Sequence, residues 1–249
     1  MDNCKVIFER PHKKVYSDGV KVYKVFDETF PQSNVFNEAL NQIRVQETGL
    51  PVPKVLEVVQ KDGKWTIVME FVKGKTLEEL MAEHPDKADE YLDKMVDIQM
   101  DIHAKRAPHL NRLREKMHNA ISGLKIDPSV RYELHSRLDA APKHYKVCHG
   151  DLVPSNIIID DAGKPHIIDW SHAVQGNGSA DTARTYLYFL MDGKKDIAEN
   201  YLKKVCVKGD VAKQYIQQWL PVVAAVQLSR GIEGEADFLM PWLDIASYE

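Results

Sequence analysis

Hydrophobic and polar positions alternate over the first part of this chain and fall at helical spacing through most of the rest. VIFER, VYSD and KVYKVF read as short strands, and Asp18-Gly19 joins the last two as a hairpin. Over 33–48 the apolar residues Val35, Phe36, Ala39, Leu40, Ile43 and Val45 recur at mostly helical spacing, and Gly49 with the following LPVP ends that helix. VLEVVQ and KWTIVMEF flank Lys61-Asp62-Gly63 as a second hairpin. KGK then reads as a crossover, after which helices are predicted over 76–82, 85–105, 111–123 and 128–138.

One β-rich island interrupts the helices. KVCHGDLVPSNIIIDDAGKPHIIDW, residues 146–170, reads as strand, loop, strand, turn, strand, with Asp161-Ala162-Gly163 closing a hairpin. Helices are predicted again over 181–191, 196–206 and 210–230, with Pro221 kinking or resetting the last. The pattern predicts an α+β, two-lobed protein: a small β-rich N-lobe with one helix over 1–72, and a larger, mostly helical C-lobe over 73–249. Ligand sites favour the cleft in such an arrangement.

Composition narrows the class without choosing a function. The chain has 249 residues, 44% hydrophobic and 28% charged, as a globular protein does. A net charge of −4 gives no reason to expect a nucleic-acid partner. Cys4, Cys148 and Cys206 are too few and too scattered for a disulfide framework or a zinc site, and suit a reducing cytoplasm. MDNCKVIFERPHKK lacks an apolar core of signal-peptide length, and WLPVVAAVQL (219–228) is about half a membrane span, so no membrane partner is expected.

The chemistry concentrates in the island. Closing its hairpin brings Asn156 and Asp169 together at the open end, and Asp151 lies in the loop entering the first of the two strands. Each alone is an ordinary turn or cap residue. Together they bring three oxygen-bearing side chains, two of them carboxylates, suited to holding Mg²⁺ with one carboxylate left to act on a substrate.

The joint spacing (HGD, four residues, Asn, a hairpin, then Ile-Asp-Trp) resembles the catalytic and metal-binding segments of the aminoglycoside phosphotransferase and choline kinase superfamily, relatives of protein kinases with their HRDxxxxN and DFG motifs. The resemblance runs from Val6 to about Arg230 and implies a protein-kinase-like fold. It makes Asp151 the catalytic aspartate and Asn156 and Asp169 the Mg²⁺ ligands. Lys24, which alone reads as a solvated strand residue, becomes the lysine that grips the phosphates of ATP. Glu38 becomes its partner on the following helix, with Glu47 as the second candidate. In KWTIVMEFV, Met69 would back the adenine, while the carbonyl of Glu70 and the amide of Val72 would bind its edge. His149 reads as a structural residue of the catalytic loop, Cys148 as a small buried strand residue, and Asp181 as a helix N-cap or an anchor for that loop. SHAVQGNGSA (171–180) reads as a mobile loop beside the site.

The sequence departs from protein kinases at ERPHKK, between the first two strands, which has no glycine. That leaves ATP against GTP open; Arg10, His12, Lys13 and Lys14 read as a solvated basic turn, with positive charge supplied to the phosphates in place of the glycines as the alternative. The implied activity is an ATP-dependent small-molecule kinase acting on a substrate hydroxyl, as in aminoglycoside phosphotransferases. The alternatives are a kinase of choline, homoserine or a sugar, and a kinase-like nucleotide-binding or regulatory protein without turnover. HGD, IDW and the missing Ala-Pro-Glu segment argue against a protein kinase. Glu233, Glu235, Asp237, Asp244 and Glu249 make the chain end acidic. As a lining near Asp151 they would suit a cationic acceptor such as an aminoglycoside or an amine; as a solvated chain end they would carry no function. Trp219 and Trp242 read as core residues, with a stacking wall as the alternative.

Overall fold

The protein is described here over residues 4–243 by a computed structural model; Asp244 and Glu249 of the acidic chain end lie outside the described residues. Antiparallel hairpins open the chain: β1 (Lys5–Arg10), β2 (Lys13–Ser17) and β3 (Lys21–Phe26). Asp18 sets the β2–β3 turn, its Oδ1 accepting from the amides of Val20 at 2.8 Å and Lys21 at 2.7 Å. Helix α1 (Gln32–Gln46) follows, then β4 (Val55–Lys61) and β5 (Lys64–Glu70), which complete a five-stranded sheet in the order β1-β2-β3-β5-β4.

The apolar stripe read along α1 is not the face that the helix buries. Phe36, Leu40 and Ile43 are exposed, while Val35, Ala39 and Val45 are buried together with Glu38, Asn41 and Gln42. At 100° per residue these six fill one side of the helix, so a half-polar face is turned inward. The polar members need partners there. Gln42 donates from Nε2 to the Pro53 carbonyl at 2.7 Å, and Asn41 donates from Nδ2 to the carbonyls of Ser171 and Ala173 at 3.4 Å each.

Next come β6 (Gly74–Thr76) and α2 (Leu77–Glu83), the latter started by a reciprocal capping box between Thr76 and Glu79. A 3-10 turn at Pro85–Lys87 precedes α3 (Ala88–Ala104). Then follow α4 (Leu113–Ser122), α5 (Pro128–Ala140), β7 (Lys146–Cys148), β8 (Ile157–Asp160), β9 (Pro165–Ile167), β10 (Val174–Gly176), α6 (Gly178–Met191) and α7 (Lys195–Gly209). The helix predicted over 210–230 is two helices, α8 (Lys213–Gln217) and α9 (Leu220–Leu228), with Pro221 in the first turn of α9, where its missing N–H costs nothing. Among the described residues the last α-helix is α10 (Ala236–Leu239), followed by a 3-10 turn at Met240–Leu243. Among the described residues no helix is long and apolar enough to cross a membrane.

Two compact units emerge. The first takes the chain up to Ala88 together with Val153–Ala173; the second takes Asp89–Leu152 and the chain from Val174 onward. A simple break after residue 72 therefore does not describe the division, and strand pairing explains why. β8 pairs on one side with β6 and on the other with β9, and the Ile167 amide donates to the Pro51 carbonyl at 2.9 Å. These bonds tie the hairpin to the β-rich unit. Its core is Phe26, Val35, Ala39 and Ile67, with Phe30, Val55, Val58, Trp65 and Met69 packed against them. In the helical unit α9 packs on α4, α5 and α6 and is buried along most of its length. Trp219 is buried there, and Trp242 is half-buried beside Phe238.

Candidate active site

A lysine within a strand is rarely buried without partners. Lys24, on β3, is 6% exposed, and its partners are two carboxylates. Its Nζ is ion-paired with Oε1 of Glu38 on α1 and lies 3.1 Å from Oδ1 of Asp169. Burial alone would lower the lysine pKa, but Asp169 and Glu38 outweigh it and hold the group above its ordinary range. Burial would likewise raise the Asp169 pKa; Lys24 and then Lys13 hold it well below the usual carboxylate range. Both groups are thus charged at neutral pH. Glu47 is the exposed C-cap residue of α1.

The hairpin register fixes the neighbours of Asp169. Ile157 pairs with Ile167, and the Ile168 amide donates to the Asn156 carbonyl at 3.0 Å, so Asn156 and Asp169 lie together just past the last paired residues. Asp169 sits at φ 61°, a left-handed conformation that aspartate tolerates better than most residues. The chain then enters a 3-10 turn at Trp170–His172, anchored by the fully buried Trp170, whose Nε1 donates to the Ile167 carbonyl at 3.0 Å. The Asn41 bonds described above hold α1, and with it Glu38, to this turn. Asn156 and Asp169 offer oxygen donors only, which fits a hard cation such as Mg²⁺.

The turn between β1 and β2 departs from the sequence reading. Lys13 is not part of a solvated basic turn: its Nζ lies 3.8 Å from Asp169 Oδ2, and its side chain is 19% exposed. Burial and then the charge of Lys24 lower its pKa. Strand alternation carried the signal. Val15 pairs directly with Lys24, and Lys13 shares the face of Val15.

At the end of β5, Met69 pairs with Val22 and Val55 and takes a contact from Gln42 Nε2 at 3.3 Å. The Glu70 amide donates to the Lys54 carbonyl at 3.0 Å and the Phe71 amide to the Val20 carbonyl at 3.1 Å. The Val72 amide donates to no group among the described residues.

In the helical unit, one buried carboxylate organises the HGD loop. Asp181 is 4% exposed; its Oδ1 accepts from the Gly150 amide at 2.7 Å, and its Oδ2 accepts from the His149 amide at 3.1 Å. His103 Nε2 lies 3.0 Å from the same Oδ2. Burial raises the carboxyl pKa, and the His103 contact, the largest of the opposing effects, brings it below the ordinary value. Asp181 is therefore the loop anchor and not a helix cap, since α6 begins at Gly178 with Asn177 as its cap. Gly150 takes φ 78°, which suits glycine in that motif. His149 is fully buried, and its Nδ1 accepts from the Asp151 amide at 3.2 Å, so in the neutral ring the proton is on Nε2. Cys148 is buried in β7, and burial pushes its thiol well above the ordinary range.

Asp151 follows this loop, and Arg184 Nη2 lies 3.3 Å from its Oδ1. Arg184 and His103 went unnoticed in the sequence. For Arg184 the signal was its place one helical turn after Asp181; for His103 no local signal existed.

The segment 171–180 is ordered structure, not a mobile loop: the 3-10 turn, β10 and the start of α6 run through it, and residues 173–178 are buried. Its glycines serve close packing. A Cβ on Gly176 would lie 2.4 Å from Leu113 Cβ, and one on Gly178 would lie 2.8 Å from His103 Nδ1.

Solved structures share this fold at low sequence identity. A thermostable mutant of aminoglycoside phosphotransferase APH(4)-Ia superposes with a TM-score of 0.74 at 15% identity, covering 98% of this chain and 94% of that one. An aminoglycoside-3'-phosphotransferase of type VIII gives 0.63 at 17%, covering 92% and 93%. Choline kinase LicA from Streptococcus pneumoniae gives 0.61 at 19%, covering 98% and 93%. Variants of APH(4)-Ia have been solved with AMP-PNP and hygromycin B, and LicA with AMP. No curated protein sequence matches the chain. The α+β, protein-kinase-like fold expected from the sequence is the observed one. The profile of the phosphotransferase enzyme family matches residues 24–215, more than half of the sequence, and the chain belongs to that family.

Proposed function

We propose that the protein transfers the γ-phosphoryl group of ATP to a hydroxyl of a small molecule in a Mg²⁺-dependent reaction. The observation that carries this reading is the buried Lys24, ion-paired with both Glu38 and Asp169. A strand lysine held by two carboxylates from separate elements is an expensive arrangement for stability alone and a useful one for binding phosphates. The nucleotide complexes of APH(4)-Ia and LicA support the same reading. The three cysteines are free, in keeping with a reducing cytoplasm as its location.

In this reading Lys24, oriented by Glu38, neutralises the nucleotide phosphates. Met69 backs the adenine, whose edge meets the Glu70 carbonyl and the Val72 amide. Asn156 and Asp169 hold Mg²⁺, which supplies positive charge where the transferred group develops negative charge. Asp151 orients the acceptor hydroxyl and accepts its proton. The acceptor oxygen bonds to the γ-phosphorus, the bond from phosphorus to the β,γ-bridging oxygen breaks, and ADP leaves. A nucleotide-binding protein without turnover is the second reading, favoured by the glycine-free turn between β1 and β2.

One experiment decides between them. Transfer from ATP is measured over a panel of hydroxyl acceptors in the wild type, Asp151→Ala and Asp169→Ala. Asp151→Ala is expected to lose about 10²–10⁴-fold in rate while keeping its nucleotide affinity, and Asp169→Ala to lose the Mg²⁺ dependence of that affinity. Wild-type transfer no faster than that of Asp151→Ala with every acceptor would establish the second reading.

A further inference from the structure

The surroundings of Asp151 in the helical unit are basic. Arg184 on α6 contacts its carboxylate, and the Arg184 Nε is buried without a hydrogen-bond partner among the described residues. Lys116 on α4 and Arg230, two residues beyond α9, interact electrostatically with Arg184, and α9 packs on both α4 and α6. Lys116 and Arg230 remain accessible to solvent, yet enough protein surrounds their charged ends to lower both pKa values. Desolvation comes first in each case. Arg230 and Arg184 then help bring Lys116 down to about 8, and Arg184 helps bring Arg230 down to about 10, with Asp151 and Glu235 acting in the opposite direction. Among the described residues of the acidic chain end, Glu235 acts on this group electrostatically, and it already accepts from Gln227 Nε2 at 2.7 Å.

Burial and mutual repulsion lower the pKa of Lys116 and Arg230, and Arg184 beside them carries a buried Nε–H with no partner among the described residues; the three form a site short of negative charge. A polycation would add to that imbalance. An oxyanion would relieve it, accepting from Arg184 and neutralising Lys116 and Arg230. We propose that the acceptor carries an oxyanion, a carboxylate or a phosphate monoester, beside its reacting hydroxyl, and that Lys116, Arg184 and Arg230 recognise it. This rests on the phosphotransferase reading and replaces the cationic acceptor expected from the acidic chain end.

The test compares matched acceptors: a hydroxy acid, its neutral amide, a sugar phosphate and an amino alcohol. They are assayed with the wild type, Lys116→Ala and Arg230→Ala. We expect the wild type to prefer an anionic acceptor over its neutral counterpart, and each variant to lower that preference in kcat/KM by about tenfold, the effect of one charge-assisted hydrogen bond. The hydroxy acid and the sugar phosphate tell the two oxyanions apart. Preference for the amino alcohol, or an equal loss with every acceptor, would overturn the proposal while leaving the phosphotransferase reading intact. If no acceptor is phosphorylated, that reading has failed instead, and calorimetry with the same hydroxy acid and sugar phosphate decides this one. Binding of either that is lost in Lys116→Ala upholds an oxyanion site, and no binding of both removes it.

Discussion

Lys24 and its two carboxylates are the most consequential charges in the β-rich unit, since each is held away from water by the others. Removing the lysine takes the shared cation from both carboxylates and leaves Asp169 with the more distant Lys13, at 3.8 Å. Lys24→Met leaves Glu38, whose side chain is 9% exposed, without its cation, and is expected to cost about 3–5 kcal/mol in urea unfolding. Adding Glu38→Gln removes the stranded charge and should recover a large part of that loss, a coupling that a double-mutant cycle measures directly. A Lys24→Met protein within about 1 kcal/mol of the wild type would show that the burial seen here carries no energetic weight. The residue pattern was legible in the sequence only jointly. Lys24 alone looked solvated, and it took the HGD-to-IDW spacing to give it a role. For Lys13 and Arg184 the local signals, strand alternation and the spacing from Asp181, do not name the partner, since Asp169 and Asp151 are distant in sequence.

At the scale of elements, sequence periodicity located nearly every strand and helix but assigned faces less well. α1 shows why: its apolar residues outnumber the buried apolar positions, and the inward face includes Glu38, Asn41 and Gln42 because Lys24, the carbonyls of Ser171 and Ala173, and the Pro53 carbonyl supply their respective partners. The stretch 171–180 shows the converse. Small residues suggest mobility when read locally, yet here they admit neighbours too close for a side chain. Gly176→Ala should therefore destabilise by about 1–3 kcal/mol through overpacking against Leu113. Gly178→Ala should do the same against His103, with which Asp181 and hence the HGD loop are connected. Gly163→Ala is the comparison. No atom lies within 4 Å of its added Cβ, and only the backbone at φ 80° is strained, at about 1–2 kcal/mol. Thermal unfolding would separate the cases. Wild-type stability of Gly176→Ala and Gly178→Ala would mean that this segment is looser than its contacts imply.

For the whole molecule, chain order and spatial grouping part company, and that was the feature least legible in the sequence. Among the described residues the hairpin of β8 and β9 follows five α-helices and precedes five more, yet its hydrogen bonds run to β6 and to Pro51. The β-rich run marks the hairpin but not its partners, because pairing across about eighty residues leaves no local trace. The grouping has a thermodynamic consequence, since segments that share hydrogen bonds and core contacts open together. Amide exchange in mild denaturant should show the amides of Ile158 and Ile167 merging with those of β3 and β5 into one cooperative unit. Those of α6 and α9 should open at a different free energy. The opposite grouping, with the hairpin amides following α6, would show that the hairpin draws its stability from the helices. The distinction bears on function as well. If the hairpin opens with the sheet, Asn156 and Asp169 are held by the same cooperative unit as Lys24 and Glu38. A destabilising change in the N-terminal sheet should then weaken the proposed metal ligands before it disturbs the Asp181-anchored loop that carries Asp151.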